Sequence, residues 1–180
     1  MKLDIEFIEL NKTTHDRDGF DCGEKELNIF LKTQASKHMA VGISKTMVLV
    51  DTGVDFNEKK PICAFFSIAP SSIKRESLPK NLAKKLPHYP IPVFLIAQLA
   101  VNEKYQGEGL GKITLIKALE YLWKVNSQMT AYAIIVDCLN QNMEEFYKKY
   151  GFMVLGKYNG KTRMYIPMKV VSKLFIGDFS

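Results

Sequence analysis

Residues 105–111 of this chain read YQGEGLG. They follow the apolar run IPVFLIAQLAV and open the run KITLIKALEYLWKV. Glycines at a strand-to-helix junction let backbone N–H groups turn toward one anion, and the start of the helix adds a favourable dipole. Three kinds of anion site compete for such a loop. A magnesium–nucleotide loop needs Gly-Lys followed by Ser or Thr, but Gly111-Lys112 is followed by Ile113, which excludes it. A dinucleotide turn GxGxxG begun at Gly107 puts Lys112 where the third glycine belongs. The chain then offers one short helix and a strand pair instead of further βα units, so this reading ranks second. The third pattern is Gln106-x-x-Gly109-x-Gly111, a pyrophosphate cradle. A tight turn with no ligand uses the same residues, and the loop by itself does not choose between the two.

Other residues with chemical potential are less patterned. Tyr147 lies at helical spacing with Met143, Phe146 and Tyr150, which by spacing alone is a packing face. His15, His38 and His88 are scattered and read as surface or loop histidines. Cys22, Cys63 and Cys138 are odd in number and far apart, with no CxxC pair. That spacing speaks for reduced thiols packed in or near a core, in a cytoplasm, and against a disulfide frame or a zinc site. No metal ligand set is expected.

The elements that must position these residues follow from periodicity. LDIEFIEL (3–10) alternates apolar and acidic residues and predicts a first strand. Leu27, Phe30, Leu31, Gln34 and Ala35 recur at helical spacing, which predicts an amphipathic helix over 24–40. Residues 44–51 and 61–69 predict two strands joined by a polar turn. Residues 71–92 are basic and broken by proline, with room for one short helix. Residues 93–101 predict a buried fourth strand and 131–137 a fifth. The helix between them carries Ile113, Ile116, Leu119, Leu122 and Trp123 on one face. The next helix has Asn142 three residues before Glu145 as a capping pair and ends at Gly151, followed by Phe152. Residues 152–158 and 161–168 predict a last strand pair. The order is β–α–β–β–β–α–β–α–β–β, an α/β domain with a mixed sheet.

The totals set bounds on this picture. A chain of 180 residues, 47% hydrophobic and 24% charged, suits a single soluble domain over 1–180. No apolar stretch reaches the ~18 residues of a membrane helix, and the acidic MKLDIEFIEL start is unlike a secretory signal. A net charge of +6 is compatible with a nucleic-acid or phosphate-bearing partner and equally with a solvated lysine-rich surface.

Taken together, QLAVNEKYQGEGLGKITL (98–115) and NQNMEEFYKKYGF (140–152) resemble two blocks of the GNAT acetyltransferase superfamily. The first is similar to that family's fourth strand, acetyl-CoA pyrophosphate loop and following helix. The second is similar to its later helix, with the frame N…FY…GF. FDCGEKELNIFLKTQASKH (20–38) resembles the opening helices of the aminoacyl-tRNA-acetylating toxins of bacterial toxin–antitoxin modules. Gln98 stands where those toxins often carry arginine, and Gln106 where the superfamily commonly does.

The resemblance implies the GNAT fold: a mixed, mostly antiparallel twisted sheet, splayed between strands four and five and flanked by helices. It implies acetyl-CoA as cosubstrate, charged tRNA as acceptor through a basic surface, a ribbon-helix-helix antitoxin as partner and a homodimer. The N–H groups of Gly107, Glu108, Gly109, Leu110, Gly111 and Lys112 would hold the pyrophosphate next to Gln106. Backbone groups around Leu99, Ala100 and Val101 would face the acetyl and pantetheine amides, and Asn142 would reach the CoA arm. Tyr147 would protonate the departing thiolate, since a phenol near pKa ~10 can serve a thiol near ~8.5. Asp21 and Glu24 are the base candidates, though both also read as helix-start residues. A weak base set suits an α-amine (pKa ~7.7–8.0) better than a lysine (~10.4). Lys32, Lys37, His38, Lys74, Arg75, Lys84 and Lys85 are the candidate RNA contacts. The open alternatives are a GNAT acting on small-molecule or protein amines, and a CoA-binding regulatory module without catalysis.

Overall fold

The computed structural model describes residues 5–55 and 57–176; Leu3 and Asp4 of the expected first strand lie outside them. The elements are β1 (Ile8–Glu9), β2 (His15–Asp16), α1 (Lys25–Ile29), α2 (Ala35–Ala40), β3 (Lys45–Val50), β4 (Lys60–Ile73), α3 (Lys80–Ala83), β5 (Ile91–Val101), α4 (Leu110–Asn126), β6 (Ala133–Cys138), α5 (Gln141–Lys149), β7 (Met153–Tyr158), β8 (Lys161–Pro167) and α6 (Met168–Ile176). The two-residue β2 and the C-terminal α6 were not expected from the sequence. Because β2 intervenes, the strand counted fourth above is β5. The first strand is also shorter than its alternation suggested, and β4 runs on to Ile73.

The chain forms two compact units. One comprises the described residues through Ala69 together with Ala97–Ala118; the other comprises Pro70–Ile96 together with the described residues from Leu119 on. In the first unit, β1 pairs antiparallel with β3 and β3 with β4, in the register Val48↔Phe65 and Leu49↔Ala64. Strand alternation sends neighbouring residues to opposite faces. Val48, Val50 and Phe65 join Phe20, Leu27, Phe30 and Leu31 in one buried cluster, and Leu49, Ala64 and Val101 join Leu110 in another. Both faces of the sheet are covered here, so Ile62–Ile68 of β4 read as one unbroken buried run. Thr46 and Ser67, register partners in that sheet, satisfy each other by a side-chain hydrogen bond.

The expected helix over 24–40 forms as α1, a π-helical turn over Phe30–Gln34, and α2. Ala35 N–H donates to Phe30 O, five residues back. Thr33 Oγ1 donates to Ile29 O at 2.8 Å.

In the second unit, β5 and β6 run parallel from Val93↔Ala133 to Ile96↔Val136, while β6 pairs antiparallel with β8 as far as Cys138↔Thr162. The parallel ladder ends at Ile96↔Val136, where the expected parting of strands four and five begins. Strand β7 pairs antiparallel with β8, with a register shift between Val154 and Gly156. The core of this unit gathers Ile91, Val93, Ala133, Ile135 and Tyr165 with Ile73, Leu78 and Ala83.

One expected helix face needs correction. Ile116 of α4 is 38% exposed, and the fully buried residues are Thr114, Leu115, Ala118, Leu119 and Leu122. The run LIKALEYLWK is apolar over more than half a turn, so two overlapping i, i+3, i+4 stripes compete. The stripe through Leu115 and Ala118 is the one that is buried.

Candidate active site

The first set of expected site residues lies in the first unit, where β5 ends and α4 begins. Asn102 closes the strand. Its N–H donates to Cys63 O at 2.8 Å, its Nδ2 to Ile62 O at 3.4 Å, and its Oδ1 accepts from Lys104 N–H at 3.1 Å, starting a 3-10 turn over Glu103–Tyr105. Tyr105 donates its hydroxyl to Asp51 Oδ2 at 3.0 Å. Gln106 then ties the loop stem down, with Nε2 donating to Val101 O at 2.8 Å and to Cys22 O at 3.1 Å. Its amide thus serves the loop's position, and it occupies the Val101 carbonyl. Ala100 and Val101 are buried and Leu99 is half-buried.

Beyond this stem, Gly107 (φ 84°) and Gly109 (φ 79°) both adopt the left-handed conformation, and a Cβ on either would meet nothing within 4 Å. The glycines are therefore required by the backbone, while the space beside them is open. Leu110 is buried and anchors the start of α4. Glu108 and Lys112 point to the exposed side, with Gly111 between. Ile113 N–H donates to Gly109 O at 3.2 Å. Among the described residues, the N–H groups of 107–112 donate to no loop or side-chain acceptor. Consecutive unused N–H groups at the start of a 17-residue helix are the donors a diphosphate needs, so this loop fits the pyrophosphate expected for it.

The second set lies in the second unit. Here the capping assignment is corrected. Asn140, not Asn142, is the N-cap of α5: its Oδ1 accepts from Met143 N–H at 3.0 Å. Asn142 is an exposed residue of the first turn. The signal that misplaced the cap was Asn142 standing three residues before Glu145. Asn140 stands three before Met143, and β6 simply ends sooner before the cap. At the other end Gly151 (φ 93°) closes the helix as expected, with Gly151 N–H donating to Lys148 O and Phe152 N–H to Tyr147 O.

Tyr147 is only 3% exposed. Its ring makes edge-on contacts with Phe146 at 5.2 Å and Phe152 at 5.2 Å. Burial raises its phenol pKa well above the ordinary tyrosine range, with the neighbouring Cys138 thiol adding to the rise. Cys138, itself buried, is pushed up to about 12, by burial first and by Glu144 and Asp137 after it. Both groups are thus held in their protonated forms at neutral pH.

The base candidates do not behave as bases. Asp21 Oδ1 accepts from Gly23 N–H at 2.9 Å and Asn28 Nδ2 at 2.8 Å. Those two bonds, the backbone one first, lower its pKa. It organises the corner before α1, where Asp21 O also accepts from Glu103 N–H. Glu24 is the N-cap residue of α1 by backbone conformation. His15 is buried, against the expectation of a surface histidine, because its Nδ1 accepts from Asn11 N–H at 3.0 Å. Burial, then Lys60, lowers its pKa.

Of the expected RNA contacts, Arg75 is spent inside its own loop, with Nε donating to Ala83 O at 2.7 Å and Leu86 O at 3.0 Å. His38 packs edge-on against Phe30. Lys37, Lys74, Lys84 and Lys85 are exposed. Sequence reasoning missed a cleft of about 430 Å³ in the first unit, lined by Lys25, Glu26, Ile29, Phe30, Gln34 and Gln98. The π turn of the opening helix and β5 form its walls, and no local pattern announces a π turn.

Residues 83–152 match the profile of the Acetyltransferase (GNAT) family, the span from α3 through the end of α5. A "tRNA-acetylating toxin" of Mycobacterium tuberculosis is 27% identical over 135 residues, covering 75% of this chain and 76% of the relative. A "Probable toxin TacT" of Sinorhizobium fredii is 25% identical over 173 residues, covering 92% of each. Among solved structures, a tyrosine-to-phenylalanine variant of KacT superposes with a TM-score of 0.85 at 26% identity, covering 94% of this chain and 98% of the other. AtaT complexed with acetyl-methionyl-tRNAfMet superposes with a TM-score of 0.83 at 26% identity, with the same coverage. Over residues 83–152 the chain is similar to the GNAT acetyltransferase family, and its fold is similar to that of the KacT and AtaT structures. Its similarity to bacterial toxins extends beyond the matched segment into the opening helices, where FDCGEKELNIF lies.

Proposed function

We propose that this chain is an acetyl-CoA-dependent N-acetyltransferase that acetylates the α-amine of aminoacyl-tRNA and so blocks translation in the cytoplasm. The observation that carries the acetyl-CoA part is the set of unused N–H groups over 107–112, on a loop whose glycines leave open space. Acetyl-CoA supplies the activated acetyl thioester. The loop and the N-terminus of α4 hold its diphosphate, and β5 backbone groups near Leu99 align its amide arm. The amine nitrogen forms a bond to the acetyl carbon and the carbon–sulfur bond breaks. The amine proton goes to water, the thiolate takes a proton from the Tyr147 hydroxyl, and the phenolate left behind regains a proton from water. We assign Asn142, on the first turn of α5, to the CoA arm.

The missing base favours an α-amine, a useful share of which is neutral near pH 7. The cleft beside Gln98 supports the same acceptor class. It offers the apolar Ile29 and Phe30 with the neutral amides of Gln34 and Gln98, and a single carboxylate, Glu26. A polyamine site would be lined with acids. We assign this cleft to the aminoacyl side chain. A ribbon-helix-helix antitoxin is the partner consistent with the toxin relatives; AtaT has been solved bound to the C-terminus of the antitoxin AtaR. The direct test is acetyl transfer to charged tRNA against transfer to free amino acids, polyamines and peptide N-termini. Preferential labelling of a small amine or peptide would replace the tRNA reading.

A further inference from the structure

The second unit contains a cavity of about 610 Å³. Two stretches distant in sequence form it: the end of β4 with the 3-10 turn Arg75–Ser77, and β7 with Arg163 of β8. Lys74, Lys157 and Arg163 bring cationic groups to it, and Ser71, Ser72 and Ser77 bring hydroxyls. No carboxylate is among its lining residues.

The cations are held differently. Arg163 is anchored by Asp137, through Nε at 2.7 Å and Nη2 at 2.9 Å, and Tyr158 is a further side-chain partner. Its guanidinium also lies 3.7 Å from the centre of the Tyr158 ring, a ring that is 49% exposed. Lys157 Nζ donates to Thr162 Oγ1 at 2.6 Å, using one of its three protons. Lys74 is exposed, and among the described residues nothing forms a salt bridge or hydrogen bond with its side chain. The bulge at Gly156 (φ 155°) places Lys157 and Tyr158 on this rim.

Cations and hydroxyl donors without an acid make an anion site, and the cavity is wider than a lone phosphate needs. An aromatic face backed by arginine suits a base or a ribose. We propose that this cavity seats RNA backbone: Lys74 and Lys157 contact phosphate oxygens, Arg163 adds its fixed positive charge, the serines hydrogen-bond phosphate or 2′-hydroxyl oxygens, and Tyr158 stacks on a nucleotide. The inference rests on tRNA being the acceptor and adds where its backbone is held.

The test is binding of a fluorescent, deacylated acceptor-stem RNA minihelix across a salt series, by wild type and by Lys74→Ala/Lys157→Ala. The expected loss is about tenfold in affinity at moderate salt, with a log–log salt slope shallower by about one per lysine. Lys74→Arg/Lys157→Arg keeps wild-type binding, and acetyl-CoA affinity is the same in all three proteins. An unchanged RNA affinity and slope in the alanine pair overturns the proposal. So does loss of binding to polyglutamate with RNA binding intact, which would make the cavity a seat for an acidic protein segment. Should the alanine pair fail to fold, Lys74→Glu alone decides by the same readout, since that exposed side chain supports nothing. The tRNA reading fails separately, if the wild type binds the minihelix but acetylates no aminoacyl-tRNA.

Discussion

Tyr147 combines two properties that a packing tyrosine and a catalytic acid share: burial and a raised pKa. What separates them is the response to removing one oxygen. Tyr147→Phe keeps the ring against Phe146 and Phe152, so stability and acetyl-CoA affinity should hold. Turnover should fall by about 10²- to 10⁴-fold, the range for loss of a general acid or base. The pH profile carries the same information. Burial raises the phenol pKa, so the proton-bearing form persists above the ordinary tyrosine value of ~10. The rate should therefore rise through ~7.7–8.0 as the acceptor amine loses its proton, and then stay level through pH 9. A fall between pH 8 and 9 would point to another acid. Gln106 acts at the same scale by a different route. Gln106→Ala removes two hydrogen bonds to backbone carbonyls, at about 0.5–1.5 kcal/mol each, and should lower unfolding stability by about 1–2 kcal/mol. Acetyl-CoA affinity should fall with it, as the loop stem loosens; isothermal calorimetry reads this directly.

Among the elements, the caps and the glycine loop give the cleanest contrasts. Asn140→Ala should cost about 1 kcal/mol in urea unfolding, while Asn142→Ala should be near neutral, because only Asn140 accepts from the first turn of α5. Gly109→Ala forces a side-chain residue into the left-handed region, at about 1–2 kcal/mol. It should also weaken acetyl-CoA binding more than stability, since it displaces the N–H groups that follow. Most elements were legible from period alone: β3 to β6, α4, α5 and the closing strand pair all stand within a few residues of their expected places. The glycine loop was legible because left-handed φ leaves few residue choices. The rest was set by tertiary context. Asn142 carries the stronger local signal, with Glu145 three residues on, yet Asn140 is the cap because the helix starts right after it. The π turn over Phe30–Gln34, the short β2 and the cavity shared by Lys74, Lys157 and Arg163 depend on segments far apart in the chain. His15 is buried because a backbone N–H finds its ring nitrogen, which no spacing encodes.

For the whole molecule, β4, β5 and α4 each contribute residues to both compact units, so neither unit owns a complete set of strands. We propose that the chain is therefore one folding domain. Its single tryptophan, Trp123, stacks on Phe175 at 5.3 Å in the second unit and reports on that unit alone. Urea unfolding followed by Trp123 fluorescence and by far-ultraviolet circular dichroism should give one coincident transition; two separated midpoints would mean independent domains. The proposed reaction moves acetyl from acetyl-CoA to the α-amine of aminoacyl-tRNA. Its most direct measurement is transfer of labelled acetyl to bulk charged tRNA, with wild type beside Tyr147→Phe. The account predicts label on the aminoacyl end with wild type and a sharp fall with the variant. Acetyl-CoA binding without any label on tRNA would contradict it.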